Sequence, residues 1–216
     1  MSISSHKSSA KKPRAIQAPQ RSNGKLRVAA ILEAAAAVID EKGYEGATMA
    51  EIAERSCTKI GSLYRFFPNK ESLADTIVVN ARQNLDAAFN QLDAGVNALS
   101  IRALTDHLMA LIFDLFTRPG LIKLLDTDRD WSVKREEFRS ALEQRLAKTL
   151  MTHTPDLSKK PAADIAQVVL LNAKTVAKHR AYFDSASSVP DEFRDMTRLY
   201  LQSRLGSPVS KKRIPS

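Results

Sequence analysis

Apolar residues begin to recur at helical spacing at Val28. Val28, Ile31, Leu32, Ala35, Val38 and Ile39 fall at offsets 0, 3, 4, 7, 10 and 11, one face of a helix. With Asn23 as N-cap and Gly43 as the residue that stops it, the first helix is predicted over 25–42. Thr48 and Glu51 stand three residues apart, the capping-box spacing, and start a short second helix over 49–56. A third, over 59–67, places Leu63 and Phe67 on one side and ends at Pro68. Asn69 caps a long fourth helix that reaches Leu92, with Leu73, Ile77, Ala81 and Leu85 as its inner stripe.

The rest of the chain stays helical. Leu104, Leu108, Leu111, Ile112 and Leu115 predict a helix over 100–117, broken by Pro119 and Gly120. A short piece over 121–126 follows, then Phe138, Leu142, Leu146 and Leu150 on a helix over 133–151. A helix over 161–184 contains the run Val168, Val169, Leu170 and Leu171, apolar all round as if buried on both sides. Phe193, Met196, Tyr200, Leu201 and Leu205 predict a last helix over 190–205. No strand and no internal repeat stands out, so the fold class is all-α with about nine helices.

Composition narrows the chemistry. The 216 residues are 44% hydrophobic and 26% charged, an ordinary globular balance. A single cysteine excludes a disulfide framework and a multi-thiolate metal site. No apolar run is long enough to span a membrane and no signal-like segment opens the chain, so a cytoplasmic protein without a membrane partner is expected. No HExxH, P-loop or GxSxG is present, and His6, His107, His153 and His179 are scattered, so no enzyme, metal site or cofactor is expected. Asp126, Asp128 and Asp130 alternate as calcium ligands do, yet lack the glycine and the closing glutamate of such a loop.

The net charge of +9 is concentrated at the ends. Lys7, Lys11, Lys12, Arg14, Arg21, Lys25 and Arg27 precede the first acid, and Lys211, Lys212 and Arg213 close the chain. Residues 1–24 read as a disordered basic tail and 207–216 as a second one. Such tails either add phosphate contacts to a nucleic-acid binder or keep the protein soluble.

Two short helices joined by a tight turn, the second rich in aromatic residues, describe a helix-turn-helix over 48–67. The stretch Thr-Met-Ala-Glu-Ile-Ala-Glu-Arg-Ser-Cys-Thr-Lys-Ile-Gly-Ser-Leu-Tyr-Arg-Phe-Phe-Pro-Asn-Lys-Glu-Ser-Leu, residues 48–73, resembles the TetR/AcrR family of bacterial transcriptional regulators. So do Ile31, Leu32, Ala34 and Ala35, with Gly43 and Tyr44 after them. The resemblance covers about 25–85 and implies an N-terminal three-helix DNA-binding domain there, with a larger helical ligand-binding and dimerisation domain over 86–206.

Independently of the resemblance, Arg55, Lys59, Arg65 and Lys70 lie between Glu54 and Glu71 with no acid among them, a patch suited to phosphates. Ile52, Ala53, Leu63 and Phe67 would set the angle between the two helices. The resemblance then distributes roles. Thr48 offers a hydroxyl or amide to a phosphate, Tyr64 its phenol and Lys70 its ammonium, while Lys59, Ile60, Gly61, Ser62 and Arg65 enter the major groove. Phe66 either packs on sugar and methyl groups or is simply exposed. Where the family's turn carries glycine this chain has Cys57, which implies a positive φ costing about 1 kcal/mol, and the thiol is either incidental or a redox sensor. Ser72 replaces the family's glutamate and would leave the fourth helix half a capping box.

For the remainder, the resemblance implies a homodimer through the last two long helices and a small-molecule effector among the middle ones. Val168, Val176, His179, Phe193, Met196 and Tyr200 are the candidate dimer contacts. His107, Leu108, Leu111, Ile112, Phe116, Trp131, Leu142 and Asn172 are the candidate pocket residues, each of which also fits an ordinary core, and Trp131 also fits a loop anchor. Together these features imply a repressor of palindromic operators in double-stranded DNA, released by a ligand. The rival is a sequence-independent architectural DNA binder that relies on its tails.

Overall fold

In the computed structural model, residues 22–126, 132–178 and 187–206 are described, and within them every regular element is helical. The order is α1 (Ser22–Gly46), α2 (Met49–Arg55), α3 (Ile60–Phe66), α4 (Lys70–Asp93), a 3₁₀ turn (Val96–Ala98), α5 (Ile101–Phe116), α6 (Leu121–Leu125), α7 (Ser132–His153), α8 (Lys159–Lys178) and α9 (Val189–Leu205). The predicted tail 207–216 and residues 1–21 of the predicted tail 1–24, with Trp131 and His179, lie outside the described residues, whereas residues 22–24 are not a disordered tail but the first residues of α1.

Local chemistry explains the boundaries. Gly43 leaves helical geometry at φ 73°, ψ 169°, which places the kink of α1 where the sequence put its stop. The helix begins at Ser22, so Asn23 is inside it rather than its cap. The two capping boxes exchange places relative to expectation. Thr48 accepts the Glu51 amide at 3.2 Å, but the Glu51 carboxylate goes to Lys42 at 2.7 Å instead of returning to the cap. At α4 the box is complete, because the Ser72 hydroxyl is long enough to reach the Asn69 amide while its own amide donates to Asn69 Oδ1 at 2.7 Å.

Two apolar clusters organise the chain. The smaller holds Ile31, Ala35, Val38 and Ile39 of α1 against Ile52, Leu63, Phe67 and Leu73. It forms a head of three helices on the first turns of α4, in which Ile52, Ala53, Leu63 and Phe67 are all buried as expected. The larger cluster collects the rest of α4 with α5, α7, α8 and α9, centred on Phe89, Leu104, Leu108, Ile112, Leu146 and Ile165. Leu108 and Ile112 are fully buried there, which makes them core rather than pocket wall.

The clusters are joined through α6. Leu124 belongs to the core of the head, although its neighbours Leu121 and Leu125 belong to that of the body. Asp40 on α1 accepts the Gly120 amide at 3.0 Å, and its carbonyl accepts the Lys123 ammonium. Gly120 is required at this approach, since its φ is 70° and a Cβ would sit 2.6 Å from the carbonyl oxygen of Ala36.

Helix α7 makes a second link. Lys134 in its first turn reaches Asp75 at 2.5 Å and Glu71 at 3.4 Å on α4. Near its other end Arg145 pairs with Asp93 at 2.8 Å and stacks over Phe89. Desolvation opposes the charge of Lys134, but the hydrogen bond to Asp75 and the nearby carboxylates raise its pKa above the ordinary lysine value, so the strap stays charged.

Candidate nucleic-acid interface

The turn between α2 and α3 is set by Cys57, the only non-glycine among the described residues with positive φ, at 49°. The turn also closes with hydrogen bonds from the Cys57 amide to Glu54 and from the Thr58 amide to Ala53 at 2.8 Å. Thr58 is buried beneath it and Cys57 is exposed. The left-handed geometry expected from the family's glycine is therefore retained by a residue that pays for it in strain.

Helix α3 divides cleanly into faces. Leu63, Phe66 and Phe67 point into the head, while Lys59, Ile60, Gly61, Tyr64 and Arg65 are exposed and Ser62 is half-buried. Ile60 leaves 44% of its surface in water and Tyr64 49%, an apolar contribution unusual on so short a helix otherwise rimmed by cations. Gly61 has open space where a Cβ would be, so nothing inside the chain requires a glycine there. A glycine within a helix costs roughly 0.5–1 kcal/mol relative to alanine, and what it provides at this position is a flat patch that an outside surface can approach.

Phe66 is a correction to the sequence reading. It is 7% exposed, packs in the core of the head, and has the Arg65 guanidinium 5.3 Å from its ring, so it is neither exposed nor a base contact. Its spacing of three from Leu63 already placed it on the inner face.

Lys70 is a second correction. Its ammonium donates to the carbonyls of Tyr44 at 2.6 Å, Ala47 at 3.0 Å and Glu45 at 3.2 Å. That uses all three of its protons to finish the frayed end of α1, and the charge also lies 4.4 Å from the Tyr44 ring. Burial, followed by Glu71, Glu45 and Asp75, raises the pKa of the Tyr44 phenol, which remains neutral beside it. An ammonium held in this way is a strut between α1 and α4, not a phosphate ligand.

Arg55 is likewise spent. Glu41 holds it with two hydrogen bonds of 2.5 and 2.8 Å, which lowers the pKa of the Glu41 carboxyl despite slight desolvation. Of the four cations in the patch, only Lys59 and Arg65 have side chains with neither an ion pair nor a hydrogen bond among the described residues. The positive surface is thus narrower than the sequence suggested and centres on α3. Thr48 stands at the start of α2 with its hydroxyl proton still available.

Residues 31–77 match the model of the family described as bacterial regulatory proteins, tetR family. YfiR of Bacillus subtilis (strain 168), an uncharacterized HTH-type transcriptional regulator, is 26% identical over 193 residues, which is 83% of this chain and 92% of YfiR. The head therefore carries a tetR-family domain. KstR of Mycolicibacterium smegmatis (strain ATCC 700084 / mc(2)155), an HTH-type transcriptional repressor, is 37% identical over 57 residues, covering 26% of this chain and 28% of KstR. The likeness in fold extends through the body: the structure of AibR in complex with isovaleryl coenzyme A and operator DNA superposes with TM-score 0.56, at 20% identity over 80% of this chain and 96% of AibR. Both relatives, YfiR and KstR, are described as transcriptional regulators or repressors of HTH type, in keeping with the helix-turn-helix of the head.

The body holds several cavities, and the predicted pocket residues do not converge on one. Phe116 and Leu142 share a cavity of about 280 Å³ enclosed by α5, α6, α7 and α8. His107 and Leu111 line a different groove of about 430 Å³ between α4 and α5. Asn172 is exposed on α8 and lines neither. The charged members of the first cavity, Arg135, Glu136, Arg139, Glu143 and Lys174, were missed because polar helix positions carry no signal of facing inward.

The predicted dimer contacts also divide. Val168 and Met196 are exposed, at 40% and 50%. Phe193 is buried in the main core with its ring edge-on to Phe113 at 5.9 Å, and this corrects its assignment to an interface. Val176 and Tyr200 are half-buried and pack against the same core. Leu171 and Leu199, 54% and 63% exposed, were not among the candidates. Only Val169 and Leu170 of the apolar run 168–171 are buried within the chain. Among the described residues no helix is long and apolar enough to cross a membrane.

Proposed function

We propose that this regulator is a homodimeric repressor that reads a palindromic operator with α3 and releases it when a small molecule enters the body. The observation that carries the reading is the exposed face of α3, where Ile60, Tyr64 and Arg65 surround a glycine that the fold itself does not need. Arg65 suits bidentate pairing with a guanine, Ile60 a thymine methyl, and Lys59, Tyr64 and Thr48 the flanking phosphates. Gly61 and Ser62 keep the backbone close to the groove.

One such helix spans too few base pairs to select a genomic site, so two copies are needed. Val168 and Leu171 on α8, with Val189, Met196 and Leu199 on α9, are large apolar side chains left in water by the single chain. A second copy laid against these helices would cover them and pair the two heads. Repression agrees with the description of KstR, and a small-molecule effector with the isovaleryl coenzyme A described in the AibR complex. In the present chain α6 and the first turn of α7 touch both the body and the head, so a ligand that shifts them shifts the spacing of the heads.

The test is sedimentation of the full chain together with duplex retention, for the natural protein and for Leu199→Glu. The natural protein is expected to sediment as two chains and to retain DNA; Leu199→Glu is expected to sediment as one and to lose most retention. A natural protein that binds DNA tightly as one chain would overturn the dimeric reading.

A further inference from the structure

The cavity between α5 and α8 has a composition that selects a ligand class. Phe116, Phe138 and Leu142 give it an apolar wall, and at about 280 Å³ it lies at the small end of the range for ligand pockets. Its cations are not equivalent. Arg139 is held by Glu136 at 2.5 Å and Glu143 at 3.2 Å, and Lys174 by Asp126 at 2.9 Å. Arg135, half-buried beside the same wall, has no carboxylate within ion-pair distance among the described residues. A partly desolvated guanidinium without a counter-charge favours an incoming anion, and its planar fork fits a carboxylate with two parallel hydrogen bonds.

We infer that this cavity binds a small amphipathic monocarboxylate, its head group on Arg135 and its apolar tail against Phe116, Phe138 and Leu142. The inference rests on the reading of the protein as a ligand-released regulator and gives that ligand its chemistry. A head group of several phosphates fits poorly, because Glu136 and Glu143 also line the cavity and only one cation is unneutralised. A neutral or cationic amphiphile would leave Arg135 unpaired.

Calorimetric titration of the full chain with octanoate, octanol, octyltrimethylammonium and octanoyl-coenzyme A separates these classes. Octanoate is expected to bind roughly tenfold more tightly than octanol, the factor that a charge-assisted hydrogen bond provides, and more tightly than the other two. Arg135→Gln is expected to abolish the preference for acid over alcohol, and Leu142→Trp, which fills the cavity, to abolish binding of both. Equal or tighter binding of octanol or of the coenzyme A thioester overturns the inference, as does no measurable octanoate binding at millimolar concentration. The comparison among ligands on the natural protein decides the matter even where a variant fails to fold. A parallel titration on operator-bound protein separates the two levels. Arg135-dependent octanoate binding that leaves DNA affinity unchanged sustains the site and removes the effector reading. Release of DNA by octanol, with no binding of octanoate, sustains the effector reading and removes the carboxylate.

Discussion

The head and the body of this protein use the same material, amphipathic helices around an apolar centre, but they keep their function in different places. The proposed DNA-reading residues lie between Thr48 and Arg65 on two adjacent helices. The cavity draws Phe116, Leu125, Arg135 and Leu170 from four helices spread along the chain. A function written on one short segment leaves a local pattern of spacing, whereas one assembled by tertiary packing leaves none. The two regions share α4, and they are linked further by α6 against α1 and the first turn of α7 against α4.

The largest way to break the relation between the two regions is at Gly120. Gly120→Ala forces a Cβ onto the Ala36 carbonyl at a backbone angle that disfavours it. A loss of about 3 kcal/mol in denaturant unfolding is expected. An unchanged midpoint would mean that the contact between α6 and α1 is not tight in solution.

Next in size is the contrast within the cationic patch. Lys70→Met should cost about 2 kcal/mol of stability, because three carbonyls lose a charged donor, while the dependence of DNA affinity on salt stays as it was. Arg65→Ala should leave stability intact and cost about 1–3 kcal/mol in binding at the preferred sequence. Denaturation and salt-dependent binding measured on both variants check this, and a reduced salt slope for Lys70→Met would return its ammonium to the phosphates.

Cys57→Gly should raise stability by about 1 kcal/mol, read as a higher Tm, because glycine meets the positive φ without strain. Gly61→Ala is expected to have the smallest effect on folding, a gain of roughly 0.5–1 kcal/mol, yet to weaken operator binding. Opposite signs for stability and binding at one residue would distinguish a position kept for an outside surface from one kept for the fold. A gain in both would show that Gly61 is not approached by DNA.

Much of the fold was readable in advance because most of the helices bury a stripe of regular period and are interrupted, ended or begun by a residue with a local reason, such as Gly43, Pro68 or Asn69. The inward face of α3 was readable too, and Phe66 was misplaced although its spacing from Leu63 matched a buried position. What could not be read depends on partners distant in sequence. Glu41 takes Arg55 across 14 residues, and the carbonyls of Tyr44, Glu45 and Ala47 take Lys70 across more than 20. A charge run reports how many cations a segment holds, not how many the fold leaves free. The same holds for the body, where Leu108 and Ile112 share a periodicity with Phe116 but only the last reaches a cavity.

The central claim is that α3 reads sequence as one of a symmetric pair, and selection of bound duplexes from a random DNA pool by the full chain at near-physiological salt tests it most directly. The account predicts an enriched palindrome whose half-sites lie about one helical turn apart, with the preference at one base pair per half-site lost in Arg65→Ala. Retention of DNA with no enriched sequence would contradict it, and would transfer the function from α3 to the basic ends of the chain.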